Sequence, residues 1–295
     1  MSKFVVSCCS TADMPRSYYE ERDIKFVCFH YTMDDVEYLD DMGVSMPLDV
    51  FYKRIEQGAT PTTSQVSVGQ YVEHFEPELK AGRDIIHMTL SSGISGTYGS
   101  CLMALDDLKE KYPERKIIVI DSLTASVGFG LLVDYAADLR DQGISVEEAG
   151  LILEEKRMNV NGWFFCTDLT CLFRGGRISK TSMVVGSLLN ICPVINIDFE
   201  GRLIPREKAR GRKKAMEKVT EKMLELADDG ADYSGGCFIS HSACVADAEK
   251  LKEVVEEKFA NLRGKIFIND IGTVIGSHTG PGTVALFFFG KKRVD

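Results

Sequence analysis

The sequence predicts an α/β protein built in two parts, and three observations predict it. Short apolar, often β-branched runs alternate with longer segments of helical period. Through the first half the alternation is regular, which implies βαβ units and a mostly parallel sheet flanked by helices. The second half carries a hairpin signal and two longer amphipathic segments, so an α/β unit with a mixed sheet is expected there. A chain of 295 residues makes one large domain or two ordinary ones at about 150 residues each. The break is placed near Asn159-Val160-Asn161-Gly162, giving an N-terminal domain over 1–160 and a C-terminal domain over 161–295. No Pro- or Ser-rich linker lies there, so tight packing of the halves is expected.

Strands are expected at 4–7, 24–30, 84–90, 116–120 and 163–167, then at 193–197, 237–240, 265–271 and 284–289. Several are apolar throughout, as for strands covered on both faces. Ser67-Val68-Gly69-Gln70 has the form of a capping box. Behind it Val68, Tyr71, Val72 and Phe75 fall on one helical face. Tyr98, Cys101, Leu102, Leu105 and Leu108 repeat the pattern, as do Val127, Leu131, Leu132, Tyr135 and Leu139. Segments 213–227 and 247–259 are amphipathic with charged outer faces. Asp198-Phe199-Glu200-Gly201-Arg202-Leu203 reads as a hairpin turn.

Composition narrows the function classes. Lys and Arg number 35 against 44 Asp and Glu, a net charge of −9. That argues against a nucleic-acid binder held by bulk charge, and leaves room for a local basic patch. The nine Cys contain no Cys-x-x-Cys pair, and the five His are scattered, so no metal site is expected. The Cys read as reduced, small core residues. The first residues read as a strand and not a leader, and no apolar run approaches the ~18 residues of a membrane span. A soluble, cytoplasmic protein without stable membrane insertion is the expectation.

Four segments have the makings of a site. Ser91-Ser92-Gly93-Ile94-Ser95-Gly96-Thr97 joins the end of an apolar strand to the start of an amphipathic helix. Free amides and the helix dipole favour an anion at such a place. A tight turn with a Ser cap fits the same residues. Thr60-Pro61-Thr62-Thr63-Ser64-Gln65 places hydroxyls before the capping-box helix; capping and anion binding both suit it. Arg174-Gly175-Gly176-Arg177-Ile178-Ser179 offers two planar donor forks for phosphate or carboxylate. Lys208, Arg210, Arg212, Lys213 and Lys214 extend the basic character, as a solvated face or a docking surface. Ile275-Gly276-Ser277-His278-Thr279-Gly280-Pro281-Gly282-Thr283 reads as a Gly-rich loop carrying a histidine before the last strand. The phosphate loop, the dinucleotide fingerprint, the zinc-protease motif and the complete nucleophile elbow are absent.

Taken together, Thr63-Ser64-Gln65, Ser91 to Thr97, Asp121-Ser122, Arg174 to Ser179 and Gly276 to Gly282 occur in this order along the chain. In that combination the sequence resembles the DegV family of bacterial fatty-acid-binding proteins. Ser10-Thr11-Ala12-Asp13 and Lys208-Ala209-Arg210 are similar too, so the resemblance covers nearly the whole chain. It implies a two-domain DegV-like fold around one long-chain fatty acid, such as palmitate, stearate or oleate, with no other cofactor. It implies a carboxylate held by hydroxyls and amides and a tail in an apolar tunnel. By motif, Thr63 and Ser95 would bind the carboxylate, Gly96 would offer its amide and His278 would sit beside the head group. Ser64, Ser92, Gly93 and Thr279 belong to the same ligand loops. Arg174 and Arg177 match arginines near the tunnel mouth and, with Arg210, are assigned to partner or phosphate contact. The implied partner is a separate ATP-dependent fatty acid kinase, the binding protein having no catalysis of its own.

The chain departs from the family pattern at Cys9, where Asp is usual, at Cys28-Phe29-His30-Tyr31, where Pro-Leu is usual, and at Val66, where Pro is usual. The first two are expected to reshape one side of the pocket or its chain preference. Burial physics agrees with a lipid. At ~0.8 kcal/mol per CH₂, a sixteen-carbon chain gains on the order of 10 kcal/mol before ordering costs. Segments 183–189 and 191–197 are the expected tunnel walls. The competing reading is a serine hydrolase or acyltransferase using Ser95 and His278, for which no acidic third member is evident from spacing.

Overall fold

A computed structural model of the chain describes residues 4–179 and 190–294. Its strands run β1 (Val5–Cys9), β2 (Ile24–Val27), β3 (His30–Met33), β4 (Val36–Leu39), β5 (Thr62–Ser64), β6 (Ile85–Thr89) and β7 (Ile117–Asp121), then β8 (Val160–Phe165), β9 (Ile191–Ile197), β10 (Leu203–Arg210), β11 (Cys237–His241), β12 (Phe267–Asp270) and β13 (Val284–Phe289). The helices of the first half are α1 (Arg16–Glu21), α2 (Leu48–Glu56), α3 (Val68–Lys80), α4 (Thr97–Lys111), α5 (Ser126–Asp141) and α6 (Val146–Lys156). Those of the second are α7 (Thr170–Arg174), α8 (Gly211–Leu226), α9 (Val245–Lys258) and α10 (Thr273–Thr279).

The α/β class holds, and the two halves differ as expected. β2-β1-β6-β7 form a parallel sheet. Its register lines up Ile24, Val6, Ile86 and Ile118 across four strands. Such a row of β-branched side chains fits a sheet covered on both faces. β10-β9-β8-β13-β11-β12 form a mixed sheet, antiparallel except for β11 and β12. The turn between β9 and β10 is the predicted hairpin. Asp198 Oδ1 accepts from the amides of Glu200 and Arg202, and Gly201 takes φ +72°. The capping box is complete: Ser67 Oγ accepts from the Gln70 amide, and Gln70 Oε1 from the Ser67 amide.

The run 24–30 is one strand in expectation and two in the structure. After β2 the Phe29 amide donates to Ser10 Oγ at 3.1 Å, and its carbonyl accepts from Asp40 at 2.9 Å. Those bonds lead the chain out of the parallel sheet. β3 then pairs with β4 and β5 in a small antiparallel sheet that the sequence reading lacks. Asp34 and Asp35 close the β3–β4 hairpin with φ of 51° and 63°. Two left-handed residues between strands match the strand twist, and Asp tolerates that region.

Helix α5 lies between the two larger sheets and is buried along nearly its whole length. Glycines let it approach closely. A Cβ at Gly128 would stand 2.1 Å from the Phe287 ring, and one at Gly130 2.5 Å from Met14 Sδ. One apolar core joins residues of both halves, from Val6 and Ile86 to Phe164, Ile195 and Phe287. A second core lies where α8 and α9 cover the mixed sheet and includes Phe165, Val219, Leu251 and Phe288. Among the described residues no helix is long and apolar enough to cross a membrane.

Candidate functional site

A cavity of about 400 Å³ is lined from both halves, within the range of roughly 300–1,000 Å³ usual for small-molecule sites. Phe29, Leu90 and Ala125 line it from the first half, and Phe164, Ile197 and Phe287 from the second. Most of the wall is apolar. Of the segment 191–197 expected to form wall, Ile197 alone is a lining residue, while Val194 and Ile195 belong to the cores. The segment 183–189 lies outside the described residues.

The polar part of the lining comes from β5, the starts of α4 and α5, the segment after α7, and α10 with the loop beyond it. Thr63, Ser64 and Gln65 line it from β5 and the residue beyond. The hydroxyls expected just ahead of the capping-box helix stand instead on a short strand. These residues form an edge strand paired with β3, Tyr31 opposite Thr63 and His30 opposite Ser64, and α3 begins only after Ser67. Ser95 and Gly96 line the cavity where α4 begins, Gly96 being its N-cap. The first-turn amides of a helix have no intrahelical acceptor, and its dipole is positive there. Ser95 Oγ accepts from the Thr97 amide at 3.3 Å, so it retains its own O–H to donate.

His278 and Thr279 line the cavity from α10, which corrects the expectation of a Gly-rich loop there. The glycine that made this stretch read as a loop is there for packing. A Cβ at Gly276 would fall 2.4 Å from Tyr52 Oη, which itself donates to the Ile271 carbonyl. His278 Nε2 lies 2.8 Å from Thr63 Oγ1. Its Nδ1 is buried without a partner against Gly175, where a Cβ would come within 2.1 Å. Burial first, then the charges of Arg177 and Arg174, push its pKa down to about 4. The ring is therefore neutral at neutral pH, with one donor and one acceptor nitrogen.

Arg177 lines the cavity and is tied down: its Nε donates to the Ile94 carbonyl at 3.0 Å. Thr63, Arg177 and His278 also line a neighbouring cavity of about 270 Å³, together with Arg174 and Thr60 to Thr62. Arg174 is exposed there. The remaining expected residues stand elsewhere. Ser92 is exposed and gives its amide to Asp121 Oδ1. Gly93 packs under the hairpin turn, where a Cβ would meet the Glu200 carbonyl at 2.5 Å. Arg210 is exposed at the end of β10 and lines neither cavity. Arg212, counted in the basic run, is fixed inside the fold by Asp247 at 2.7 Å and the Gly282 carbonyl.

The hydrolase geometry is not assembled. His278 bonds Thr63 and not Ser95, and no carboxylate orients its Nδ1. Among the described residues no group of three or more His, Cys, Asp or Glu is arranged to hold a metal ion. All nine Cys are free thiols.

Residues 3–291 match the family described as uncharacterised protein, DegV family. A DegV domain-containing protein of Clostridium perfringens is 39% identical over 293 residues, 99% of each chain. DegV of Bacillus subtilis, a fatty acid binding protein, superposes with a TM-score of 0.84 at 28% identity, covering 99% of this chain and all of that one. A Thermotoga maritima protein whose structure reveals fatty acid binding function gives 0.82 at 29% identity, with the same coverage. With its parallel and mixed sheets joined over an apolar cavity, and this likeness along nearly its full length, the chain belongs to the DegV family.

Proposed function

We propose that this protein binds one long-chain fatty acid between two domains, 1–160 and 161–295, without transforming it. The observation that carries the reading is the cavity: apolar walls from both halves, with Thr63, Ser95 and Gly96 supplying neutral donors in one lining and His278 beside them, bonded to Thr63. An unpaired buried carboxylate costs several kcal/mol, and such donors remove that cost without adding a formal charge. They also leave a carboxylate oxygen able to attack phosphorus. Mass spectrometry of organic extracts from the purified protein tests the reading. Palmitate, stearate, oleate or a close relative is the expected ligand. A protein that comes out empty and rejects added oleate and palmitate overturns it.

The same reading makes the protein the acyl-carrying partner of a cytoplasmic fatty acid kinase. The exposed Arg174 beside the cavity, with exposed Lys208 and Arg210, supports a docking surface for a phosphate-bearing or acidic partner. Loaded protein mixed with such a kinase and ATP is expected to yield acyl phosphate, and loaded protein with ATP alone none. Acyl phosphate without the kinase overturns the non-catalytic assignment.

A further inference from the structure

A chain of polar side chains crosses the core of the first half and ends at the start of α4. His74 Nε2 lies 2.8 Å from Ser7 Oγ, which lies 2.9 Å from His87 Nδ1. His87 Nε2 lies 3.7 Å from Cys9 Sγ, and Cys9 Sγ lies 3.3 Å from Tyr71 Oη. Tyr71 Oη lies 2.6 Å from Thr97 Oγ1. Ser7, His87, Cys9, Tyr71 and Thr97 are fully or almost fully buried. Polar groups in an apolar core are retained at a cost, so a complete chain of them calls for a reason.

Donor counting supplies one. Burial holds both imidazoles neutral, so each carries one N–H. The chain then has two consistent proton orders. If every hydrogen points toward α4, Tyr71 donates to Thr97, and the Thr97 hydroxyl hydrogen remains unspent at the first residue of that helix. If the order is reversed, Thr97 donates to Tyr71 and none remains there. An anion at the helix start favours the first order. Thr97 is also held from its other side, because its amide donates to Ser95 Oγ.

We propose that Tyr71 is a positioning residue for the head-group site, acting through Thr97 to fix the Ser95–Gly96 turn, with the chain back to His74 setting the direction of its hydroxyl. The proposal rests on the fatty-acid reading for its ligand. It assigns a role to the buried Cys9 and His87 that needs no reactivity from either.

Oleate titration calorimetry on delipidated protein tests it. Tyr71→Phe and Thr97→Val are each expected to weaken oleate roughly 3- to 10-fold, the value of one neutral hydrogen bond, while Thr97→Ser stays within about twofold of wild type. In a Ser95→Ala background Tyr71→Phe is expected to add little, because both act on one turn. A residue that merely stabilises the fold would lower the melting temperature and leave oleate affinity unchanged, in the wild type and in the Ser95→Ala background alike. Where Tyr71→Phe does not accumulate, Thr97→Val against Thr97→Ser decides the matter. A wild type that binds oleate alongside a Tyr71→Phe that binds it equally well overturns the assignment and leaves the fatty-acid reading standing. A wild type that takes up no fatty acid overturns both.

Discussion

Thr63 and His278 meet side chain to side chain at 2.8 Å, an edge strand of the first half touching a short helix of the second. The bond joins the halves at the cavity wall, beside the carboxylate donors proposed above. With its one N–H assigned to Nε2, neutral His278 donates to Thr63 Oγ1 and leaves the threonine O–H for the ligand. Thr63→Val removes that donor, and the loss of a hydrogen bond to a charged group predicts oleate binding weakened roughly 10- to 100-fold. His278→Ala is expected to weaken it less, and the double variant little more than Thr63→Val. Full additivity in a double-mutant cycle of dissociation constants would separate the two residues.

Gly175 sets where that histidine can stand. A Cβ there falls 2.1 Å from His278 Nδ1 and 3.2 Å from the Cys171 carbonyl. Gly175→Ala is therefore expected to push the ring off Thr63 and to bind oleate as weakly as His278→Ala, although Gly175 offers the ligand no side chain. Calorimetry of the two variants side by side checks this, and wild-type affinity in Gly175→Ala rules it out.

Two buried groups predict opposite pH responses. His278 titrates near 6.5 when unfolded and is pushed down to about 4 in the fold, by burial and then by Arg177 and Arg174. Between those values the unfolded chain binds the proton more readily. His278 therefore contributes stability that is complete above pH 6.5 and is lost as the pH falls toward 4. Asp13 behaves in reverse: burial first, then the nearby Asp40, raise it well above 3.8. Its contribution is complete below 3.8 and fades as the pH rises. In urea titrations at several pH values, His278→Gln is expected to lose the acid-side decline by up to about 3 kcal/mol relative to wild type. Asp13→Asn is expected to gain on wild type as the pH rises. Parallel curves for all three proteins would dismiss both assignments.

The parts of this fold legible in the sequence are those where one local rule decides. Ile24, Val6, Ile86 and Ile118 sit on apolar runs, and the parallel row follows. Ser67 and Gln70 carry a two-residue signal, as does Gly201 in its hairpin. The small sheet escaped because its turn is Asp34-Asp35 and its third strand is the polar Thr62–Ser64. α10 escaped because Gly276, there to clear Tyr52, looks like a loop glycine. Thr63, Ser95 and His278, which line the cavity, are legible through motif order, yet Ser92 and Gly93 of the same motif stand outside the lining. Phe29 lies in the stretch marked by its departure from the family pattern, whereas Leu172 and Phe287 line the cavity without any local mark. A buried apolar residue reads the same whether it faces another side chain or a ligand.

Phe287 shows how closely core and cavity are joined. Its ring lines the cavity on one side and presses on two glycines on the other. A Cβ at Gly128 would stand 2.1 Å from the ring, and one at Gly162 2.6 Å. With α5 buried between two sheets, the ring has room to yield chiefly toward the cavity. Alanine's helix preference returns about 1 kcal/mol at Gly128, while overpacking costs about 1–3 kcal/mol, so a net destabilisation of at most about 2 kcal/mol is expected. Binding is the sharper readout. A displaced ring removes tail space, so Gly128→Ala is expected to discriminate against longer acyl chains more than the wild type does. Phe287→Leu in the same background shrinks the ring's demand and is expected to restore part of both the stability and the chain-length range. Thermal melts with palmitate and with a shorter acid check the pair. A Gly128→Ala variant that loses stability yet keeps the wild-type preference would show that the ring yields into the core instead.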